Sequence, residues 1–434
     1  MVRCHLLDGR FVETDLPDLE AAVALLEERR TALHALSVDD IIELLARLGK
    51  EMVRDPVVSA IEGASYMSLW LRRDNLERLL SIDLVNREAL DRFCEVQPGV
   101  LMRAQPRGVS CHWLPNNVPT LSFFSLMLAV LTKNASVLKV SEVNRGVLTA
   151  VLKRLARIEV DRNGRMISGS TIVETVCMIS FDSSHLEANE MMSQAADIKL
   201  AWGGSEAVRS VAALPQKDTC DILLFGPKYS LAVFDQAFLA REDLDNALKP
   251  LAMDVALFDQ TACSSPQVAI VERGAMSARE FAEHMARCLE TLPRRMLGTR
   301  RPEARCLDII NVRGAYLLSE DKDIVMPGDL GWTILIDQDA GLPEPVQGKC
   351  LFVREVGDLL EAAEWLTRRV QTVALCIEDP DRRMAFANKA SYIGVDRFVL
   401  PGSMNDFALP WDGMLPLGRM VRWTTIRRND NDRG

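Results

Sequence analysis

From Leu16 to Phe93 apolar positions recur at helical spacing. In the stretch SVDDIIELLARLGKEM, Ile41, Leu44, Leu45 and Leu48 fall on one face. Ser37 stands where an N-cap belongs, and Asp40 where the acid of a capping box belongs. Near residues 95–115 the texture changes to short alternating segments between Pro and Gly, VQPGVLMRAQPRGVSCHWLP, which predicts a hairpin. The run from Leu121 to Leu131 is almost wholly apolar, flanked by Pro119 and Lys133. It is well short of the roughly 20 residues a membrane span needs, so it reads as a buried helix and no membrane span is expected.

Beyond it, short apolar runs alternate with helical ones. SVLKV (136–140) predicts a buried strand and RGVLTAVLKRLARI a helix; VCMISF, IKLAW, DILLF and SLAVF are further strands. This alternation predicts an open, mostly parallel α/β sheet. A second such region follows residue 227, with strands QVAIV, WTILI, CLFV, TVALCI and RFVLP and helices AREFAEHMARCLETL and GDLLEAAEWLTRRV. The fold class is therefore α/β with two sheet domains. RMVRWTTIRR is an isolated strand of the kind that completes a sheet elsewhere in the chain or on another subunit. The tail RRNDNDRG reads as solvated and disordered.

Composition narrows the function. A chain of 434 residues, 48% hydrophobic and 26% charged, makes two or three domains of about 100–200 residues and buries large cores. With 51 Lys+Arg against 61 Asp+Glu the net charge is −10, which argues against a general nucleic-acid or anionic-membrane binder. A local basic pocket for a phosphate-bearing ligand stays open. The start, MVRCHLLDGRF, has neither an apolar core nor a cleavage site, so no secretory leader is expected and a cytoplasmic location is. Ten cysteines are scattered singly without CxxC spacing, which favours reduced thiols. The five histidines (His5, His34, His112, His185 and His284) are dispersed and HExxH is absent, so no metal is expected.

Four segments could carry chemistry. In FDQTACSSPQ, Cys263 sits among small residues that leave room for a carbonyl beside the sulfur; the other reading is an inert core thiol. LPNNVP (114–119) is a rigid turn with two amides between prolines, and a side-chain amide held this way could donate to an oxyanion; the other reading is a plain turn that caps a helix. IKLAWGGSEAVRSV reads as strand, Gly-Gly-Ser turn and helix, and the free N–H groups at such a helix start attract phosphate; the other reading is an ordinary βα turn. Lys139 ends a strand and Glu142 follows it, at an edge where open α/β sheets bind ligands; the alternative is a surface charge pair.

The order of these motifs carries more than any one of them. PNNVP, VLKVSE, WGGS, LLFGPK and FDQTACSS resemble PWNFP, VVKPSE, FTGS, LELGGK and FNQGQCC of the aldehyde dehydrogenase superfamily, at similar spacings over roughly residues 110–270. HWLPNNVPTLS and FDQTACSSPQ resemble more closely the LuxC-type fatty acyl-CoA reductases of bacterial bioluminescence operons. The resemblance implies an aldehyde dehydrogenase-like fold: two doubly wound parallel-sheet domains and a small bridging β-element that pairs subunits. A cofactor domain would take residues 1–94 and 111–226, the oligomerisation element 95–110 and 415–430, and the catalytic domain 227–414. A homodimer or homotetramer is implied.

By position, the resemblance makes Cys263 the catalytic cysteine and Asn117 the oxyanion asparagine. Lys139 and Glu142 become adenosine-ribose contacts, Gly204 and Ser205 the turn beneath the pyrophosphate, and Glu344 the nicotinamide-ribose glutamate, although its surroundings, LPEPV, depart from the usual EIFGP. In LELGGK the glutamate is the general base of hydrolytic members; here Leu224 takes that position and Pro227 replaces a glycine. A leucine cannot activate water, so an acyl group on Cys263 should wait for a hydride or a thiol. The implied reaction is NAD(P)H-dependent reduction of an acyl thioester to an aldehyde through an S-acyl-cysteine. NADPH is the expected cofactor and NADH the alternative, because Glu142 would repel a 2′-phosphate unless Arg145 offsets it. The partner is acyl-CoA or another acyl thioester, with an acyl-protein synthetase or acyl carrier as a protein partner. The rival functions are a cofactor-independent acyltransferase or thioesterase and a non-catalytic acyl-carrier subunit.

Overall fold

The alternating apolar runs build a seven-stranded sheet in each of two units of a computed structural model, which describes residues 1–162, 164–297 and 301–428. The units are Met1–Gly226 with the C-terminal segment from Phe407, and Pro227–Asp406. In the first, the strands are β1 (Arg3–Leu7), β2 (Arg10–Asp15), β3 (Val109–Trp113), β4 (Ala135–Lys139), β5 (Val176–Ser180), β6 (Ile198–Trp202) and β7 (Asp221–Phe225). Their order is β7-β6-β3-β4-β5-β1-β2. Strands β3 to β7 are parallel, and β1 and β2 add an antiparallel edge. Helices on both faces bury β3 and β6 completely, which is why they read as unbroken apolar runs.

The helical N-terminal half forms as its pattern predicts. The helix Val38–Met52 carries the full Ser37/Asp40 capping box. In the helix Pro119–Leu131 every residue from Thr120 on is buried, so it is apolar on all sides without being a membrane span. The predicted hairpin comprises Cys94–Gln97 and Val100–Pro106 and ends there, because Val109–Trp113 is a central strand of the large sheet. The terminal strand, Val421–Arg427, pairs antiparallel with Val100–Pro106 of its own chain, from Val421 opposite Pro106 to Arg427 opposite Val100. Residues 407–414, expected with the catalytic domain, pack into the first unit instead: Phe407 stacks on Phe124 with ring centroids 4.7 Å apart, and Trp411 lies 4.6 Å from Phe407. The irregular segment has no periodicity from which its unit could be read, and aromatic stacking decides its place. The tail beyond Arg428 lies outside the described residues.

In the second unit the strands are β8 (Tyr229–Phe234), β9 (Pro266–Glu272), β10 (Asp323–Val325), β11 (Thr333–Ile336), β12 (Cys350–Val356), β13 (Val370–Cys376) and β14 (Arg397–Val399). The order is β10-β11-β12-β9-β8-β13-β14, parallel apart from β10. One face packs helices Leu244–Ala256 and Ala278–Glu290 around Phe234 and Phe281; the other packs around Phe352 and Phe386. The helix expected over GDLLEAAEWLTRRV shrinks to Leu359–Ala362 and a 3₁₀ turn, since β13 claims the chain from Val370.

His112, buried in mid-strand, gives the first unit a pH-sensitive element. Ser110 Oγ donates to the Ala135 carbonyl (2.9 Å), so His112 Nε2 must donate to that oxygen at 2.9 Å. Nδ1 then accepts from Ser125 Oγ at 2.7 Å, and Ser125 accepts the Trp202 indole N–H at 3.0 Å. The ring is neutral, and burial pushes its pKa down to about 3. Unfolded, it would protonate near its ordinary value of about 6.5. This stability is therefore fully present above pH 6.5 and is lost as pH falls toward 3, by about 2 kcal/mol at pH 5. Urea unfolding at pH 7.5 and pH 5 should show a drop in the wild type that exceeds the drop in His112→Gln by that amount.

Candidate active site

In the first unit the chain runs from β3 through β4 to β5 in one direction, then crosses back to place β6 and β7 on the other side of β3. The reversal between β3 and β6 is a topological switch point, where open α/β sheets leave a crevice at the carboxyl ends. Three neighbouring strands deliver predicted residues to that edge. Asn117 follows β3, Lys139 ends β4, and Gly204 and Ser205 follow β6.

The turn holding Asn117 is tied down from below. Asn144, fully buried on the next helix, donates Nδ2 to the Pro115 carbonyl at 2.7 Å. Its Oδ1 finds no donor among the described residues, which leaves a buried acceptor beside the strand ends. Gly204 is the N-cap of the helix Ser205–Ala212, and a Cβ built on it would meet nothing within 4 Å, so the space over that turn is open. Open N–H groups at a helix start suit a pyrophosphate. Lys139 lies half-buried with Nζ 4.4 Å from the Phe181 ring centroid. Burial lowers its pKa and Asp182 pulls the other way. Glu142 is 81% exposed and pairs with Arg145, which also reaches Glu13 at 2.6 Å. These groups fit a dinucleotide: a phosphate cradle, a lysine, and a carboxylate for ribose hydroxyls.

In the second unit Cys263 lies in the loop before β9, at the amino edge of the sheet. Ser230, at the start of β8, donates to the Cys263 carbonyl at 2.8 Å and accepts the Thr372 N–H at 3.1 Å. Gln371, at the start of β13 and 1% exposed, places Nε2 3.3 Å from Cys263 Sγ. Ser264 Oγ donates to Asn405 Oδ1 at 2.8 Å. Of the other cysteines, seven are buried and two, Cys220 and Cys306, are partly exposed like Cys263. Burial raises Cys288 and Cys350 to about 11, which keeps them protonated and inert at neutral pH.

The approach to Cys263 is strained. Phe258, Asp259 and Gln260 have φ of 53°, 50° and 61°, and Gln347, Gly348 and Lys349 have φ of 64°, 67° and 63°. Left-handed backbone is costly for non-glycine residues and persists only where the surroundings over-determine it. Here the two turns brace each other. Gly348 N donates to the Asp259 carbonyl at 3.0 Å, and Cys350 N to Gln260 Oε1 at 2.8 Å. Gln260 Nε2 donates to the carbonyls of Pro266 (2.8 Å) and Cys350 (3.0 Å). Arg301 holds both Asp259 carboxylate oxygens at 2.7 Å, and the buried Lys349 ammonium bonds the same carboxylate. Burial would raise the Asp259 pKa, but the hydrogen bonds and charges of Arg301 and Lys349 override it and hold the group ionised.

Sequence reasoning missed Gln371, Asp259 and Lys349. A polar residue entering an otherwise apolar strand was the only available signal for the first. The other two needed the tertiary pairing. Glu344 sits on an exposed loop, 79% exposed, with its carboxylate held by Arg369 at 2.8 and 3.1 Å. Leu224 lies in β7, opposite Ala201 of β6. Among the described residues, no helix is long and apolar enough to cross a membrane, and no group of three His, Cys, Asp or Glu could hold a metal ion.

Comparison with solved structures shows the same architecture. The chain superimposes on a 1-pyrroline-5-carboxylate dehydrogenase of Thermus thermophilus with a TM-score of 0.70 at 13% identity, covering 98% of this chain and 92% of that one. Lactaldehyde dehydrogenase of Escherichia coli gives 0.69 at 14% identity, covering 98% of each. In sequence, the chain is 25% identical over 365 residues to the long-chain acyl-protein thioester reductase of Aliivibrio fischeri, covering 81% of this chain and 71% of that protein. It is 27% identical over 377 residues to the enzyme of that name from Photorhabdus luminescens, covering 84% and 73%. The family model for acyl-CoA reductase (LuxC) matches residues 17–423. The fold is thus that of the aldehyde dehydrogenases, and together with the match to a reductase family it implies a nicotinamide cofactor. The chain belongs to the acyl-CoA reductase (LuxC) family, oxidoreductases of the acylating aldehyde dehydrogenase type that reduce an acyl thioester to an aldehyde.

Proposed function

We propose that Cys263 is the nucleophile of this reduction and Asn117 its oxyanion donor. The observation that carries the Cys263 assignment is a partly exposed thiol just after an over-determined strained turn, with the Gln371 amide directed at its sulfur; Asn117 is assigned on resemblance. The Cys263 thiolate attacks the thioester carbonyl, its carbon–sulfur bond forms, the original one breaks, and the free thiol leaves. The Asn117 amide and the Cys263 backbone N–H hold the oxyanion in this step. They hold it again when the reduced adduct collapses to aldehyde and thiolate. The reduced dinucleotide supplies the hydride. With Leu224 in place of a general base, the acyl group on sulfur outlasts contact with water.

Lys139, Glu142, Gly204 and Ser205 are assigned to the adenosine and pyrophosphate end of the cofactor. Glu344 is assigned to the nicotinamide ribose on resemblance alone, and its pair with Arg369 competes with that role. Arg145 supports NADPH over NADH, since its guanidinium offsets the carboxylate that would repel a 2′-phosphate; initial rates with the two cofactors test the preference. The names of the relatives support a long-chain acyl group held as a protein thioester, and an acyl-protein synthetase or acyl carrier is our proposed donor. We assign the strand Val421–Arg427 and its hairpin to subunit pairing, as a homodimer or homotetramer.

Asn117→Ala tests the oxyanion assignment. Loss of one such donor should cost roughly 10²–10³ in turnover. Steady-state rates should fall by that factor with little change in KM, because the interaction strengthens in the transition state. An unchanged kcat would remove Asn117 from the mechanism.

A further inference from the structure

Gln371 is not among the residues that the family motifs carry, yet it faces the sulfur, and its orientation is set from outside. Strand β13 holds an extra residue against β8: Tyr229 pairs with Val370, but Leu231 pairs with Val373. This bulge brings Gln371 and its neighbour Thr372 to the same edge; bulges recur beside active sites, where they re-aim side chains. Arg397, on β14, directs Nε at Thr372 Oγ1 (3.1 Å). Its Nη1 and Nη2 bond the carbonyls of Asp406 and Met404. A guanidinium only donates. The Thr372 hydroxyl therefore accepts from Arg397 and gives its own proton to Gln371 Oε1, 3.4 Å away. With Oε1 committed as acceptor, the end of the amide that meets Cys263 Sγ at 3.3 Å is the donor, Nε2.

We infer that Arg397, Thr372 and Gln371 form a one-way hydrogen-bond relay that favours and positions the Cys263 thiolate. Every proton in the relay points toward the sulfur, so a cation three side chains away acts on the nucleophile without touching substrate. The reverse amide orientation would accept the S–H proton and favour the thiol. These are positioning residues, and their role rests on the reading of Cys263 as nucleophile. Other charged groups reach the same loop by other routes. Asn405, which accepts from Ser264, donates to the Asp254 backbone carbonyl and, at 3.5 Å, to its carboxylate; the Asp259–Arg301–Lys349 cluster adjoins Gln260 in the chain, and the Gln260 amide donates to the Pro266 carbonyl. All of these are common to the wild type and the variants below, so a difference between proteins isolates the relay.

The test is the pH dependence of Cys263 alkylation by iodoacetamide in the full chain, read by mass spectrometry of the Cys263 peptide. Gln371→Leu and the isosteric Thr372→Val should each move the midpoint up by about one pH unit, which slows alkylation roughly three- to fourfold at a pH well below the midpoint, the tenfold smaller thiolate fraction being partly offset by the greater nucleophilicity of a more basic thiolate. Thr372→Ser, which keeps the hydroxyl, should restore the wild-type midpoint. A uniform loss of rate at every pH, with the midpoint fixed, would overturn the relay and leave these residues a packing role. A midpoint that moves down would also overturn it, since Gln371 would then be the acceptor. A wild-type Cys263 that reacts at no pH would overturn the nucleophile assignment, and the relay with it.

Discussion

Cys263→Ala should abolish the covalent acyl-enzyme and aldehyde formation together. Alanine keeps the small volume that the loop requires, and it leaves the Ser230 bond to the backbone carbonyl in place, so the loop itself should survive. What disappears is the nucleophile. Direct hydride transfer to a free thioester lacks the positioned covalent adduct, and losing a nucleophile typically removes nearly all turnover, as in other enzymes whose catalytic groups act as a unit. No other thiol should take over. Burial raises the pKa of Cys111, Cys220, Cys288 and Cys350. Cys306, which is partly exposed on the helix Glu303–Leu317, supplies the matched control. Cys306→Ala should retain the parent rate. Dinucleotide binding, measured by equilibrium titration, should be unchanged in Cys263→Ala, because the residues assigned to the cofactor cradle lie on other strands.

The second large effect should come from Asp259→Ala. This carboxylate sits between two buried cations and is the pivot of the paired left-handed turns. Without it, Arg301 and Lys349 confront each other with the charge between them gone. Removing one partner from a buried ion pair costs roughly 3–5 kcal/mol, because the desolvation of the remaining charge is no longer offset. Full-chain urea unfolding should show that loss in the transition that includes residues 227–406, followed by hydrogen exchange of the β9 and β12 amides. Reactivity of Cys263 should fall as well, since the strained backbone that presents it loses its brace. The double variant Asp259→Ala/Lys349→Met should be less damaged than the sum of the singles, because it also removes a stranded charge. Full additivity would mean that the cluster is not a coupled unit.

The sequence made visible what depends on periodicity and on local backbone chemistry. The capping box at Ser37 and Asp40, the buried helix from Pro119 and ten of the fourteen sheet strands follow from short-range rules and appear as expected, whereas β1, β2 and β10 have no predicted counterpart and β3 falls within a predicted hairpin. The β1–β2 hairpin also had a signal that went unread. Asp8-Gly9, with φ of 52° and 71°, is the two-residue turn that such hairpins favour, and it joins Leu7 to Arg10. The ordered motifs pointed to Cys263 and Asn117 because residue types at fixed spacing survive in a linear string. What remained hidden was whatever joins distant segments. The Phe407–Phe124 stack draws residues 407–414 away from the second unit. Lys349 meets Asp259 across 90 positions, and the bulge at Gln371 exists only once β13 lies against β8.

An acyl group on the Cys263 sulfur should be long-lived. The full-length protein, mixed with a long-chain acyl-CoA in the absence of reduced cofactor, should gain one acyl mass on the Cys263 peptide and keep it. Adding NADPH should then clear that mass with release of one equivalent of aldehyde. An adduct that never forms, or one that decays to free carboxylic acid as fast as it appears, would contradict the account.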